Sequence, residues 1–302
     1  MVEIKNVTKK FGGFTALEDI SFTVDIGSVY GLVGYNGAGK TTLLRCCAGI
    51  YRPDGGEVLI GGHNAYDNNV NRHKLFFVPD EIYYEANSSM SDMARFYAGY
   101  YPAFSMEIFN NAAELFDLDT KKKIRGFSKG MLRQAEIVFA FACRPQNMLL
   151  DEAFDGLDPA KRHIVKQLFL EYAAESGCSM IISSHNLQEI SELCDHIGLI
   201  NGKRLKLSLK TSDIPKLYKQ ITASFDKEIC KVDFDFPDAE VVRIDGNTAV
   251  VAAMGNAPEV EEKLKALNPV EIISESMTME DVFVQGLEKK EKDVSKIFGG
   301  VK

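Results

Sequence analysis

Gly34-Tyr35-Asn36-Gly37-Ala38-Gly39-Lys40-Thr41 is the stretch on which the fold turns. It has the form glycine, four residues, Gly-Lys-Thr, in which successive backbone N–H groups turn inward around a phosphate. Its flanks agree. Val29-Tyr30-Gly31-Leu32-Val33 is an apolar run of the kind a buried strand has, and Thr42 to Ala48 carries a helical pattern. A strand, a glycine-rich turn and a helix N-terminus together form an anion site, because the unpaired N–H groups and the helix dipole both favour negative charge. Lys40 then reaches the β- and γ-phosphates of a nucleotide, and the Thr41 hydroxyl is placed to ligate Mg²⁺.

The bulk composition limits what surrounds this loop. With 302 residues, 45% hydrophobic and 26% charged, the chain is of ordinary globular make-up and long enough for one large or two modest domains. A formal net charge of −8 argues against a general nucleic-acid binder, so no nucleic-acid partner is expected. The six cysteines show no paired metal-ligand spacing and sit mostly in apolar surroundings, which predicts reduced core thiols. Met1-Val2-Glu3-Ile4-Lys5 does not read as a signal peptide, and no apolar run nears the roughly 20 residues of a membrane span. Any membrane part of its work is expected to come from another polypeptide.

Upstream and just downstream of the loop, residues 2–8, Ala16–Val24 and Glu57–Ile60 alternate apolar and polar, which predicts a small antiparallel sheet. Phe11 stands beside the Gly12-Gly13 turn, where it either stacks on a base or joins the core. Leu75 to Val78 predicts a buried strand stopped by Pro79 and followed by Asp80-Glu81. Between about 85 and 125 the pattern is helical and aromatic-rich, with helices expected over Met90–Tyr101 and Ser105–Phe116. Its aromatics (Phe96, Tyr97, Tyr100, Tyr101, Phe104 and Phe109) read most simply as core, with docking of a partner helix as the alternative.

Ser128 and Gly130 open a helical pattern over Leu132–Cys143, a second potential anion site. Asn147-Met148-Leu149-Leu150 predicts a hydrophobic strand that ends in Asp151-Glu152. In a phosphate-loop enzyme that aspartate supports Mg²⁺, and the glutamate is placed to polarise a water. Pro159 starts a helix through Glu171 after the turn 154–158. Ser179 to Ser184 is another buried strand, and His185 sits at its carboxyl end, where open α/β sheets bind ligands, although a lone histidine there is more often structural. A hairpin turning at Asn201-Gly202 closes the region.

In this order the segments resemble an ATP-binding cassette ATPase over residues 1 to about 210. Phe11 matches the aromatic that stacks on adenine, and Gly34 to Thr42 match the phosphate loop. Asp80 falls at the glutamine of the Q-loop, and Phe127 to Met131 match the signature Leu-Ser-Gly-Gly-Gln. Met148 to Glu152 match the Walker B strand, Asp155 to Asp158 the D-loop, and His185 the switch histidine. The resemblance implies an α/β fold with a P-loop NTPase core, an antiparallel β subdomain and an α-helical subdomain. It also implies ATP and Mg²⁺ as ligands, with Glu152, His185 and Lys40 as catalytic groups.

Nucleotide contacts are implied for Phe11, Gly34, Tyr35, Asn36, Gly37, Ala38, Gly39, Lys40, Thr41, Thr42 and Asp158. The γ-phosphate held on a second cassette falls to Ser128 and Gly130, and Mg²⁺ to Thr41, Asp151 and Asp80. The family works as paired cassettes beneath a transmembrane permease subunit, which implies a homodimer or heterodimer on the cytoplasmic face of the cell membrane. Asp80 departs from the pattern, being short and anionic, and Glu81 is a neighbouring substitute. Lys129 and Met131 also depart, while the serine and second glycine are intact, so hydrolysis is expected to survive. Such variants resemble bacterial multidrug or lipid-type exporter cassettes. The rival reading is a soluble clamp of the same fold acting in translation, repair or cluster assembly.

From 211 to 302 a small α+β accessory domain is expected. Strands are read over Ile221–Phe225, Val232–Phe234, Val241–Ile244, Thr248–Ala252 and Val270–Ile273, with a helix over Pro258–Leu267 and a final helix capped at Thr278. Ser276 to Phe283 resembles the tail of exporter-type cassettes, and residues 288–302 read as a frayed helix. Structural support or a dimer contact is the plainer role for this domain, and ligand sensing the other.

Overall fold

Gly12-Gly13 turns the first hairpin, in which β1 (Val2–Phe11) pairs antiparallel with β2 (Phe14–Val24). The computed structural model describes residues 1–66, 68–85, 87–229 and 239–286, divided between a first unit, Met1–Thr211, and a second, Ser212–Lys302. β1 runs three residues beyond the expected Thr8 because register shifts along the pair absorb its broken alternation. The wholly buried β3 (Val29–Val33) feeds the phosphate loop, and α1 (Lys40–Cys47) leaves it. β4 (Gly55–Ile60) and the two-residue β5 (His63–Asn64) complete an antiparallel sheet of order β2-β1-β4-β5.

A short α2 (Asn69–Arg72) leads to β6 (Leu75–Val78), and the helical region follows as α3 (Met90–Tyr100) and α4 (Met106–Leu115). Ser89 starts α3 through a reciprocal capping box with Asp92, and Ser105 caps α4 by accepting from the Ile108 N–H. α5 (Lys129–Ala142) is capped by Ser128, so it begins at the signature segment, three residues before the helical pattern in the sequence starts. Then come β7 (Asn147–Asp151), α6 (Pro159–Ser176), β8 (Ser179–Ser184), α7 (Leu187–Leu193), β9 (His196–Asn201) and β10 (Arg204–Lys210). α6 outruns its expected end at Glu171 and stops where Gly177 takes φ 67°, the left-handed position that favours glycine.

The second sheet of this unit has order β10-β9-β3-β8-β7-β6, parallel from β9 through β6, with β10 antiparallel at one edge. Its register decides where the chemistry collects. Val33 is paired with Ser184 and Asp151 with Ser183, so the phosphate loop, Glu152 and His185 all leave the sheet along one edge. Leu17, Ile20, Leu32, Leu43, Leu149 and Ile181 form part of one core that joins the hairpin sheet to α1 and the parallel strands. Each such side chain contributes about 1.5–3 kcal/mol on burial, which holds the loop's two flanks rigidly together.

The aromatic cluster of the helical region divides. Phe109 is buried and stacks on Phe139 of α5 at 5.8 Å, but Phe96 and Tyr100 are exposed, so the core reading fails for those two. Periodicity placed them on a helix without saying that α3 turns one aromatic edge outward.

In the second unit, α8 (Ile214–Leu217) precedes β11 (Tyr218–Ser224), β12 (Ala239–Asp245), β13 (Thr248–Met254), α9 (Ala257–Ala266), β14 (Glu271–Ser276) and α10 (Met279–Gly286). The strands form an antiparallel sheet of order β12-β13-β11-β14. Ile221, Val251 and Ala253 pack with Val260 and Leu264 of α9 to make its core. The expected strand Val232–Phe234 and the tail 288–302 lie outside the described residues.

Candidate functional site

The phosphate loop lies at the floor of a cleft of about 590 Å³, within the range of small-ligand sites. Its backbone needs glycine at 39. There φ is 110°, and an added Cβ would fall 2.7 Å from Leu17 Cδ2 and 2.9 Å from the Ala16 carbonyl. Lys40 opens α1 and is buried; its Nζ donates to the Gly34 carbonyl at 2.7 Å and lies 3.5 Å from Glu152 Oε1. The lysine is thus aimed across the loop by two oxygens.

Glu152 follows β7 and carries φ 48°, a left-handed conformation that is costly for a non-glycine residue. The turn is pinned by the Glu152 N–H, which lies 3.1 Å from Ser183 Oγ and 3.2 Å from the Ser183 carbonyl. Its carboxylate bridges two partners, Lys40 through Oε1 and the His185 ring through Oε2, with Nδ1 at 3.0 Å. Asp155 joins them, so that Glu152, Asp155 and His185 each offer a ligand atom within 4.8 Å of the others.

Asp151 is almost fully buried behind this group. Oδ1 accepts from Ser183 Oγ at 2.6 Å, while Oδ2 is buried without a hydrogen-bond partner. A buried carboxylate oxygen left so is costly unless a cation or water completes it. With the Thr41 hydroxyl and the Asp80 carboxylate lining the adjoining cleft, the donors are all hard oxygens, the set that suits Mg²⁺.

Of the residues singled out in the sequence, Phe11, Tyr35, Asn36, Gly37, Ala38, Gly39, Lys40, Thr41, Thr42, Asp80, Glu152 and His185 line this one cleft. Gly34 is not among the lining residues; its carbonyl accepts from Lys40 Nζ, and a Cβ there would fall 2.6 Å from the Ile200 carbonyl. Asp158 is not among the lining residues. Its carboxylate caps α6 by accepting from the Lys161 N–H at 2.9 Å, and Asp155 at the other end of the same turn reaches the cleft. Ser128 and Gly130 also lie outside the lining. Gly130 packs so tightly on the Gly156 carbonyl that a Cβ there would come within 2.7 Å. The signature segment and the D-loop turn are therefore built against each other.

Phe14, Ala16 and Asp155 also line the cleft and were not among the expected site residues. Phe14 stands across the Gly12-Gly13 turn from Phe11, exposed, with Lys203 Nζ 4.8 Å from its ring centre. The Phe-Gly-Gly-Phe spacing was the available signal. Asp155 was visible as part of the D-loop but was not singled out.

The comparisons with known proteins meet this geometry. The ABC transporter family profile matches residues 17–155. The ABC transporter ATP-binding protein YtrB of Bacillus subtilis is 30% identical over 229 residues, 76% of this chain and 78% of the relative. The chain belongs to the ABC transporter ATP-binding proteins. It is an ATPase of that family, which binds ATP. The SkfA peptide export ATP-binding protein SkfE of the same organism is 28% identical over 244 residues, 79% of this chain and 99% of the relative. Among solved structures, the ATP binding subunit of an ABC transporter superposes with a TM-score of 0.67 at 27% identity, over 72% of this chain and 92% of that one. ABC ATP-binding subunits dimerise and work with transmembrane subunits. No helix among the described residues of this ABC ATPase is long and apolar enough to cross a membrane.

The five described cysteines of the ABC ATPase are free and buried. Burial pushes the Cys46 thiol up to about 11, so it stays protonated and unreactive near neutral pH.

Proposed function

We propose that this ABC ATPase powers export through a separate transmembrane permease subunit, as one of two cassettes that close around ATP. The observation that carries this is the cleft that gathers Lys40, Asp80, Glu152 and His185 on one phosphate loop. Export is supported by the peptide-export relative and by the Lys129 and Met131 variants of the signature.

In this reading Phe11, joined by Phe14, flanks the base, and the N–H groups of residues 34–42 and Lys40 hold the phosphates. Mg²⁺, when bound, would neutralise phosphate charge; Thr41, Asp151 and Asp80 are the residues to hold it. Glu152 orients a water whose oxygen bonds to the γ-phosphorus as the bond to the β–γ bridging oxygen breaks, giving ADP and phosphate. Glu152 takes up the water's proton, and His185, hydrogen-bonded to it, steadies the carboxylate and faces the γ-phosphate. Ser128 and Gly130, which do not line this cleft, serve the ATP held by the second cassette, with Asp158 on the dimer side.

The helical region 85–125 and the Asp80 loop face the permease, which places the chain at the inner face of the cell membrane. The domain 211–302 lends structural support or a dimer contact.

The test is mild detergent extraction of native membranes, purification of this chain and mass spectrometry of what accompanies it. A stoichiometric polytopic protein is the expected result. Recovery with ribosomes, nucleic acid or a soluble assembly complex instead overturns transport and leaves the ATPase assignment standing.

A further inference from the structure

Past Val78 the chain leaves the parallel ladder, and the carbonyls of Pro79 and Asp80 have no strand to pair with. A residue more than fifty positions away receives them. Arg133, wholly buried in the second turn of α5, donates from Nη1 to the Pro79 carbonyl at 2.7 Å and from Nη2 to the Asp80 carbonyl at 2.9 Å. Nη1 also lies 3.2 Å from Glu136 Oε2, and Nη2 lies 3.7 Å from Asp80 Oδ1. One planar guanidinium therefore spans two successive carbonyls and stands between an exposed carboxylate and a buried carboxyl.

We propose that Arg133 is the positioning residue that sets Asp80 at the nucleotide cleft and ties its loop to the helix that starts at Ser128. The inference rests on the reading of Asp80 as part of the nucleotide site. Two features single out Arg133. A carboxylate at position 80 brings a negative charge beside phosphates, and the guanidinium is a cation within 4 Å that offsets it. The fork is also rigid, so a shift of the Pro79–Asp80 loop must move α5, and with it Ser128 and Gly130, or break two charge-assisted hydrogen bonds. A lysine keeps the charge but cannot hold both carbonyls in one plane.

The experiment uses the full chain, with steady-state ATP turnover and equilibrium ATP affinity measured for Asp80→Ala, Arg133→Lys and the double variant. The expected result is that Arg133→Lys lowers kcat about tenfold with ATP affinity within about threefold. In the Asp80→Ala background, where both backbone carbonyls remain but no carboxylate is left to place, it costs less than about twofold more, because two residues acting through one another are not additive. Equal losses in both backgrounds, or a lowered Tm with kcat unchanged, overturn the positioning role. Parental turnover in Asp80→Ala overturns the site reading beneath it, and the proposal with it. If Arg133→Lys does not fold, the pair Arg133→Met with Glu136→Leu removes the guanidinium and its buried carboxyl partner together and carries the same expectation.

Discussion

Glu152 Oε2 lies 3.0 Å from His185 Nδ1 while its Oε1 lies 3.5 Å from Lys40 Nζ, so one carboxylate joins the phosphate loop to the end of β8. The strained φ of 48° at Glu152 makes this bridge possible, since it directs the side chain forward from β7 over the loop. Binding and chemistry separate along this bridge. In the proposed mechanism Lys40 and the loop N–H groups meet phosphate, and the carboxylate meets water.

Glu152→Gln keeps the size and the hydrogen-bonding reach of the side chain but removes the anion that takes a proton. Turnover should fall by about 10²–10⁴, the usual worth of a general base, with ATP affinity equal to or better than that of the parent. Phosphate release and equilibrium binding decide it, and gel filtration with ATP should show a persistent dimer. Near-parental turnover would remove Glu152 from its assigned role.

A second bridge links the D-loop turn to the histidine. Glu189, buried in the first turn of α7, takes Arg162 Nη1 at 2.8 Å on Oε1 and the Ser184 hydroxyl at 3.1 Å on Oε2. Arg162 Nη2 lies 3.4 Å from the Leu157 carbonyl, and Ser184 Oγ accepts from the Asn186 N–H. Glu189→Ala breaks the path between residue 157 and the segment that holds His185, leaving a serine and an arginine short of partners. A loss of about 2–4 kcal/mol is expected, seen as a drop in thermal midpoint of several degrees, together with reduced turnover. Glu189→Gln, which keeps the serine bond, should lose less than half as much; equal losses would place the effect elsewhere.

Much of this site could be read from the sequence, and the reasons are physical. Phosphate cradling demands glycines and a lysine at fixed offsets, and buried parallel strands demand continuous apolar runs, so residues 29–48 and 147–152 carry their own explanation. Asp155 and Asp158 were harder to separate. Both sit in one turn, and only the cap made by Asp158 with Lys161 shows which carboxylate is occupied. Arg133 had no signal of its own. A charged residue in a helix reads as solvent-facing, and its burial depends on carbonyls brought in from Pro79 and Asp80. The exposure of Phe96 and Tyr100 is likewise a tertiary fact, set by where α5 packs and not by spacing within α3.

The buried pair beneath the Asp80 loop makes stability depend on pH in an unusual direction. Burial pushes the Glu136 carboxyl up to about 8, against the pull of Arg133 at 3.2 Å, because its loss of water outweighs one ion pair. In the unfolded chain the same group titrates near 4.5. Between these values the folded state holds a proton that the unfolded state has released. Unfolding therefore releases this proton, and the contribution of Glu136 to stability falls as pH rises from about 5 to about 8. Below about 4.5 both states are protonated and Glu136 adds no slope. Glu136→Gln mimics the protonated form and can still accept from Arg133. It should flatten the slope through this window and leave the protein more stable than the parent at pH 8, by on the order of 1–3 kcal/mol. Denaturant midpoints at pH 5.5 and pH 8 for both proteins measure this directly. A parent whose stability rises across the window, or a variant with an unchanged slope, would mean that Glu136 is ionised in the fold and that the ion pair, not the desolvation, prevails.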